Sequence, residues 1–455
     1  MFYLNKKIMN TLLKTLITCS LALNIFLVYH FELLTYIQLG RRGARFTLAY
    51  PVAHASAPTP KLHPKLQTSV AIAGGGLSGL ALALALKSSG IEDVLVIERA
   101  SALRTKSQGA IRLTDAGLAD LGIIYPSLPY TLRSVGAVFE QSIKKQVLEN
   151  GTVNYFTGND PSIGIGILVA WADIQDALAN AIREVSSDES WLRCGSGVKS
   201  YRETSERVEV QLDDGSVIHT SLLIGGDGAF SSVRRQITSP WPDRPRSYAQ
   251  TNWNAIIPRD SVPEAHRVPE RTTVSISYVL SDSAASLLNV DIGRNRTFWQ
   301  LRVTDEKIAK AVDSTGRGGA GLIGVQKRIL ELIDQAYKDT PESNFDEVRA
   351  LVVASDNNIF ERRILDRKPL KRWSSRRRRI VLMGDAAHAM HPAPGQGANS
   401  AFADVVALSA ALKEGDLKNP AKSVKAYERA RIKVANEIQA SCRRAGFRQS
   451  SGKRS

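Results

Sequence analysis

A buried-strand pattern that runs straight into a glycine turn constrains this chain more than any other feature. Ser69-Val70-Ala71-Ile72-Ala73 is a short apolar run suited to a parallel strand covered on both faces. It leads into Gly74-Gly75-Gly76-Leu77-Ser78-Gly79, then into a strongly helix-forming alternation of Leu and Ala through Leu86, closed by Gly90. Val94-Leu95-Val96-Ile97 follows and stops at Glu98. Strand, glycine turn, helix, strand and acid in this order make a dinucleotide-binding unit. Gly74 permits the tight turn, and Gly76 lets a pyrophosphate approach the backbone at the helix N-terminus. Gly79 allows helix and strand to pack closely, and Glu98 can accept from ribose hydroxyls. An acid rather than a base at position 98 favours an unphosphorylated ribose, hence FAD or NAD. Gly316-Arg317-Gly318-Gly319-Ala320-Gly321 spells the same glycine spacing. It follows the polar, helix-like Lys307–Thr315 instead of a buried strand, so it reads as a loop.

Two later stretches repeat the motif of an apolar run ending in glycine and acid. Leu222-Leu223-Ile224-Gly225-Gly226-Asp227-Gly228 continues through Ser231 to Arg234. Ile380-Val381-Leu382-Met383-Gly384-Asp385-Ala386-Ala387-His388 continues through His391-Pro392 to Gly395-Gln396-Gly397-Ala398-Asn399 and an apolar helix reaching Leu412. With the first glycine unit, these three ordered motifs resemble the class A flavoprotein monooxygenases, the para-hydroxybenzoate hydroxylase-like family. Asp366-Arg367, Pro369 and Trp373 before the last strand, and Tyr427-Glu428 with Arg431 after it, add to the resemblance.

The resemblance implies an α/β fold: a discontinuous Rossmann-like FAD-binding layer with an inserted, mainly antiparallel substrate-binding sheet. The FAD-binding domain is expected over 67–245 and 355–445, the substrate sheet over 246–354, and a polar tail over 446–455. Gly74, Gly76 and Gly79 are expected to cradle the FAD pyrophosphate, and Glu98 with Arg99 to meet the adenosine ribose. Asp227 and Gly228 would support the cofactor, in a segment that also serves NAD(P)H. Asp385 would hold the ribityl chain, with Gly384, Pro392, Ala398 and Asn399 also expected among the cofactor-binding residues, and Gly395, Gln396 and Gly397 would pass beside the flavin ring. Glycines at an expected helix N-terminus suit that place, since free N–H groups and the helix dipole stabilise negative charge on reduced flavin. His388 is expected to pack near the flavin. Trp253 and Trp299 are candidates either for a pocket wall or for the core. No metal is expected, for His388 and His391 lack a third ligand at zinc-like spacing.

By the same resemblance, NAD(P)H and O2 are co-substrates, and one oxygen atom passes to an aromatic or isoprenoid-type small molecule by hydroxylation or epoxidation. No catalytic side chain is assigned, because the flavin carries the chemistry. One departure stands out. Where relatives often carry Arg-x-Asp-Leu, with the arginine reaching toward the flavin, this chain has Trp171-Ala172-Asp173-Ile174. A flavin-dependent reductase of isoprenoid lipids, similar to geranylgeranyl reductase, and a non-catalytic flavoprotein therefore stay open as alternatives.

Composition bears on the ends of the chain and on partners. The net charge is +16, and residues 1–66 hold eight Lys and Arg against the single acid Glu32. An apolar run over residues 11–29 and an Ala-x-Ala site at Ala53–Ala57 mark residues 1–66 as a targeting or membrane-anchor segment. A plastid or other organelle address through a cleaved leader, or a membrane anchorage, is expected. The basic charge suits an anionic membrane or a phosphorylated cofactor, and without interleaved aromatic and basic residues it gives no case for nucleic acid. The four arginines Arg376–Arg379 read as a solvated turn. Three dispersed cysteines build neither a disulfide framework nor a CxxC site.

Overall fold

The computed structural model describes residues 66–450, apart from 105–108, 149, 157–165, 187–188, 242, 280–283, 312–318, 321–323, 337–344 and 357. The leader through residue 65, the last five residues and most of the Gly316–Gly321 cluster lie outside the described residues. Strand β1 (Leu66–Ala73) begins at Leu66, which therefore belongs to the fold and not to the leader.

In chain order follow α1 (Leu77–Ser88), β2 (Val94–Ile97), β3 (Ala110–Leu113), α2 (Asp115–Ile124), α3 (Leu128–Val135), β4 (Gln141–Leu148), β5 (Val153–Phe156) and β6 (Ile167–Ala170). Then come α4 (Trp171–Val185), β7 (Leu192–Arg193), β8 (Val198–Glu203), β9 (Val208–Leu212), β10 (Val217–Gly225) and α5 (Ser232–Thr238). Next are β11 (Arg246–Pro258), β12 (Thr272–Val279), β13 (Ala284–Asp291), β14 (Arg296–Thr304), α6 (Glu306–Ala311) and β15 (Gly319–Ala320). The chain closes with α7 (Val325–Ala336), α8 (Asp346–Ala354), β16 (Phe360–Asp366), β17 (Ile380–Leu382), α9 (Asp385–His388), α10 (Gly397–Lys413) and α11 (Ala421–Ser450).

The first sheet runs β7-β2-β1-β10-β9-β8, with β17 pairing beside the end of β10. Strands β7, β2, β1, β10 and β17 are mutually parallel, and β9 and β8 turn back antiparallel. Burial explains its composition: Val70, Ala71 and Ile72 are fully buried, so this strand needs no polar face. Helix α1 is apolar on every side because α4 and α10 pack against it.

The second sheet runs β15-β16-β11-β14-β13-β12-β4-β5 and is antiparallel except where β12 meets β4. It is wider than the expected 246–354 insert, since β4, β5 and β16 come from outside those bounds. Neither face of this sheet is simply open to solvent. Helices α7 and α8 cover one side through Trp253, Trp299, Ile329 and Leu351, and the other side walls a cavity. Trp253 and Trp299 are thus core residues, donating to Glu361 and to the Ser355 hydroxyl.

Two smaller expectations also change. Arg379 is buried instead of solvated, because Ser205 and Ser221 carbonyls take up its guanidinium. Residues 446–450 continue α11 and are not a tail. Among the described residues no helix is long and apolar enough to cross a membrane.

Candidate functional site

The carboxyl ends of β1, β10 and β17 lie side by side, and each runs into one glycine motif. Gly226 N–H donates to Ala73 O over 2.9 Å, and Met383 N–H to Gly225 O over 2.9 Å. The turns pack too closely for side chains. A Cβ on Gly74 would stand 2.5 Å from Gly226 O, and one on Gly79 2.0 Å from Gly74 O. Gly74 also holds φ +102°, a conformation that favours glycine. Gly76 is the opposite case: a Cβ there would meet nothing within 4 Å. No side chain caps the N-terminus of α1, so its free N–H groups and positive dipole end face an opening.

That opening is a cavity of about 870 Å³ between the two sheets. Ligand pockets span roughly 300–1,000 Å³. Of the residues singled out from sequence, Gly76, Gly228, Asp385, Pro392, Gly395, Gly397 and Ala398 line it. The others stand behind the wall as supports. Glu98 accepts from Gly75 N–H at 2.7 Å and from Ala100 N–H at 2.8 Å, so it braces the first glycine turn. Asp227 accepts from Ser232 and Val233 N–H groups at the start of α5. Its second oxygen, Oδ1, is buried without a hydrogen-bond partner among the described residues. The Asn399 amide donates to Arg112 O and Gly395 O, while its oxygen accepts from Thr114 N–H and hydroxyl. It therefore ties the β3–α2 turn to the Gly395 loop. Gln396 reaches only Pro394 O, at 3.5 Å. Arg99 pairs with Asp213 at 3.5 Å and does not reach the cavity wall.

Asp385 opens to the cavity but is enclosed by protein. Enclosure raises its carboxyl pKa, against the opposing charges of His388 and Arg362. His388, expected near the flavin, instead faces away from the cavity. It is fully buried and makes a 2.6 Å contact through Nε2 with Asp404. The other Asp404 oxygen accepts from Arg431 Nε at 2.8 Å, and Asp404 also accepts from Gly384 N–H at 3.0 Å. Burial alone would lower the His388 pKa, yet the Asp404 charge and hydrogen bond outweigh it and hold the imidazole above its ordinary value. His391 behaves oppositely. Its Nδ1 accepts from Ala393 N–H, so Nε2 carries the proton and donates to Gln250. Burial first, then Arg302 and Arg362, push it down to about 3, and it stays neutral.

Several wall residues besides Trp171, all of them arginines, escaped the sequence reading. Trp171 lines the cavity with the Arg104 guanidinium 5.1 Å above its ring, so a cation does stand here, supplied from another segment. Gln175 fixes that arrangement, donating to Gly75 O and accepting from Arg104 N–H. Arg112 lies against Gly395, and its buried Nε has no hydrogen-bond partner among the described residues. Arg302 and Arg362 enter from the second sheet. Arginine at the cavity-facing parity of an apolar strand, as in Phe298-Trp299-Gln300-Leu301-Arg302, was the available signal.

The residues present fit a flavin dinucleotide. A glycine cradle is open at Gly76, helix N-termini at α1 and α10 face the cavity, and Arg112 on its wall has an Nε without a hydrogen-bond partner among the described residues.

Comparison with known proteins agrees. A family model described as "FAD binding domain" matches residues 67–115 and 327–441. The chain is 28% identical over 410 residues to the chloroplastic zeaxanthin epoxidase of Nicotiana plumbaginifolia, covering 84% of this chain and 55% of that protein. It thus spans about half the length of those epoxidases. It is 26% identical over 381 residues to 3-hydroxybenzoate 6-hydroxylase 1 of Aquipseudomonas alcaligenes, covering 82% and 87% respectively. The solved structure of Klebsiella pneumoniae HpxO complexed with FAD and uric acid aligns with a TM-score of 0.64 at 22% identity. That alignment covers 84% of this chain and 88% of HpxO, and it carries the fold. Motif order, the matched FAD-binding domain and the shared architecture make this chain similar to the class A FAD-dependent monooxygenases.

Proposed function

We propose that this protein is a monooxygenase that couples NAD(P)H oxidation to insertion of one atom of O2 into an aromatic or isoprenoid-type small molecule. The balance is substrate, O2, NAD(P)H and H⁺ giving oxygenated substrate, water and NAD(P)⁺. One observation carries the reading: three glycine-bearing strand ends converge on one cavity, lined by Gly76, Gly228 and the Gly395–Ala398 loop, and a Cβ on Gly76 or Gly228 would meet nothing within 4 Å. FAD, when bound, supplies the two-electron and oxygen chemistry. The chain's own residues bind and orient. Gly76 and the N-terminus of α1 would take the pyrophosphate, Glu98 the ribose, and Asp385 the ribityl hydroxyls. The N–H groups of Gly397 and Ala398, at the uncapped start of α10, would face the flavin's pyrimidine edge and favour negative charge there. Arg104 over Trp171 would bring the positive charge that position 171 lacks.

Gly76→Val tests the cradle. Because its Cβ meets no protein atom, the FAD-free variant should keep its stability within about 1 kcal/mol. FAD affinity, read by fluorescence quenching, should fall at least ten-fold. Unchanged affinity would remove the pyrophosphate from this turn. The activity itself is tested on the purified full chain by the absorption spectrum, then by NAD(P)H oxidation with and without O2 and by 18O incorporation. Oxidation that proceeds equally without O2 and yields a reduced product would instead favour a reductase.

The chloroplastic relative, together with the basic, acid-poor composition of residues 1–66, supports an organelle address for this chain. Amino-terminal sequencing of the native protein would reveal a processed end.

A further inference from the structure

Far from the cavity wall, a stripe of cations runs along α11 with almost no acid to answer it. At about 100° per residue, Lys422, Lys425, Arg429, Lys433 and Arg444 fall within an arc of about 100°, spread over roughly 33 Å of helix. All five are exposed. Lys425, Arg429 and Lys433 follow one another at i,i+4, a spacing at which like charges destabilise a helix. Other helices of this chain answer such cations with acids: Lys310 pairs with Glu306 at 2.8 Å and Lys327 with Glu331 at 3.6 Å, both at i,i+4. On α11 the acids are Glu428, which is buried, and Glu437, just past the edge of the arc.

A second segment widens the stripe into a face. Residues 367–378 run antiparallel along α11: Gln439 donates to Arg367 O at 2.8 Å, Asn436 to Leu370 O at 3.2 Å, and Glu428 accepts from Trp373 and Ser374 N–H at 2.8 and 2.9 Å. Asn436 lies inside the basic arc, so the segment borders the stripe directly. The segment holds no acid, and its Lys368, Lys371, Arg372, Arg376 and Arg377 are exposed. The ion pairs of this region belong to Arg378 with Glu428 and to Arg431 with Asp404, and among the described residues neither set of exposed cations makes one. So dense a field of one sign favours a polyanionic partner. Two features choose among polyanions. Asn436 and Gln439, the amides beside the stripe, already donate to backbone carbonyls, so the face senses charge and offers no amide to base edges. Phe447 stands in the same arc, 50% exposed, and lysine stems add apolar cover, a combination suited to the headgroup boundary of a bilayer.

We propose that α11 and the 367–378 segment form a docking face for an anionic lipid bilayer, with the axis of α11 lying in the membrane plane. This is independent of what the cavity binds. The test uses the purified full chain with phosphatidylcholine vesicles, either plain or containing about one-third phosphatidylglycerol. Lysines are acetylated briefly in the presence of each vesicle, and the labelled sites are read by mass spectrometry. Anionic vesicles should cut labelling of Lys371, Lys425 and Lys433 several-fold and leave Lys310 and Lys327 as they are in solution; high salt should restore it. Attachment through residues 1–66 alone would leave all five lysines labelled as in solution. In Arg429→Glu/Lys433→Glu, the anionic vesicle concentration that half-protects Lys371 and Lys425 should rise about twenty-fold or more, since each cation near such a surface contributes roughly five-fold. FAD content should not change, and Lys310→Glu/Lys327→Glu should behave as the parent does. Unchanged labelling with anionic vesicles, equal protection by plain ones, or a folded Arg429→Glu/Lys433→Glu variant protected like the parent would each overturn the proposal. So would a DNA duplex that protects the same lysines at lower concentration than the vesicles. Should the double variant not fold, labelling of the parent decides alone.

Discussion

Gly79→Ala is expected to cost about 3 kcal/mol or more of stability in the FAD-free protein, or to prevent folding altogether. The new Cβ would stand 2.0 Å from the Gly74 carbonyl oxygen. That atom is backbone, held in a turn whose Gly74 N–H is itself bonded to Ile97 O at 2.7 Å. Nothing flexible can give way, so either α1 lifts off β1 or the turn opens. Overpacking typically costs 1–3 kcal/mol, and a rigid backbone contact belongs at the upper end or beyond. Better helix propensity returns roughly 1 kcal/mol at most, too little to offset it. Urea unfolding measures the outcome, with Gly76→Val as the control that disturbs the same turn without a clash. A Gly79→Ala protein within 1 kcal/mol of the parent would refute the packing argument.

The buried charge cluster behind Gly384 should dominate the pH dependence of stability. His388, Asp404 and Arg431 lie together out of solvent, and Asp404 holds Gly384 N–H next to Asp385. His388 has its pKa raised in the folded state, so the native protein keeps a proton that the unfolded chain releases above about pH 6.5. Its stabilisation is complete below that pH and is lost as pH rises through the folded value, at up to about 1.4 kcal/mol per unit. Asp404 runs the other way. Burial would raise its pKa, but the His388 and Arg431 charges lower it overall. Its contribution is present above the unfolded carboxyl value and is lost as pH falls through the folded one. Urea unfolding of the parent and of His388→Gln between pH 6 and 9 separates the alkaline limb; identical slopes would discard this account. Asp404→Asn removes the shared anion, so burial and Arg431 leave His388 neutral and the Arg431 guanidinium buried without its counter-charge. It should cost about 3–5 kcal/mol and reduce FAD content as well, since Asp385 then loses the anchor of its preceding residue.

The expectation that His388 lies beside the flavin failed for an instructive reason. Spacing placed it three residues after Asp385, but α9 is a single turn, and its far side packs on α10. The Asp404 carboxylate comes from there, and a pair that is fully buried is much harder to pull apart than a histidine is to point at a cavity. In the same way, the sheet expected over 246–354 recruited β4, β5 and β16, because an edge strand with open N–H and C=O groups takes whichever neighbour the fold supplies.

Local chemistry alone determined the glycine turns and the strands that feed them. Where two backbones approach within van der Waals distance only glycine fits, and where a strand is covered on both faces only apolar residues fit, so both leave marks readable in a handful of consecutive letters. Strand register, helix docking and the meeting of side chains far apart in the chain were decided by the tertiary structure. Asn252, Arg302 and Arg362 became neighbours through pairing, Arg104 came to rest over Trp171 from a separate loop, and Asp404 found His388 from the next helix. Pairing energy depends on which faces are buried after folding, and that is a property of the assembled layers, which no short stretch of residues contains.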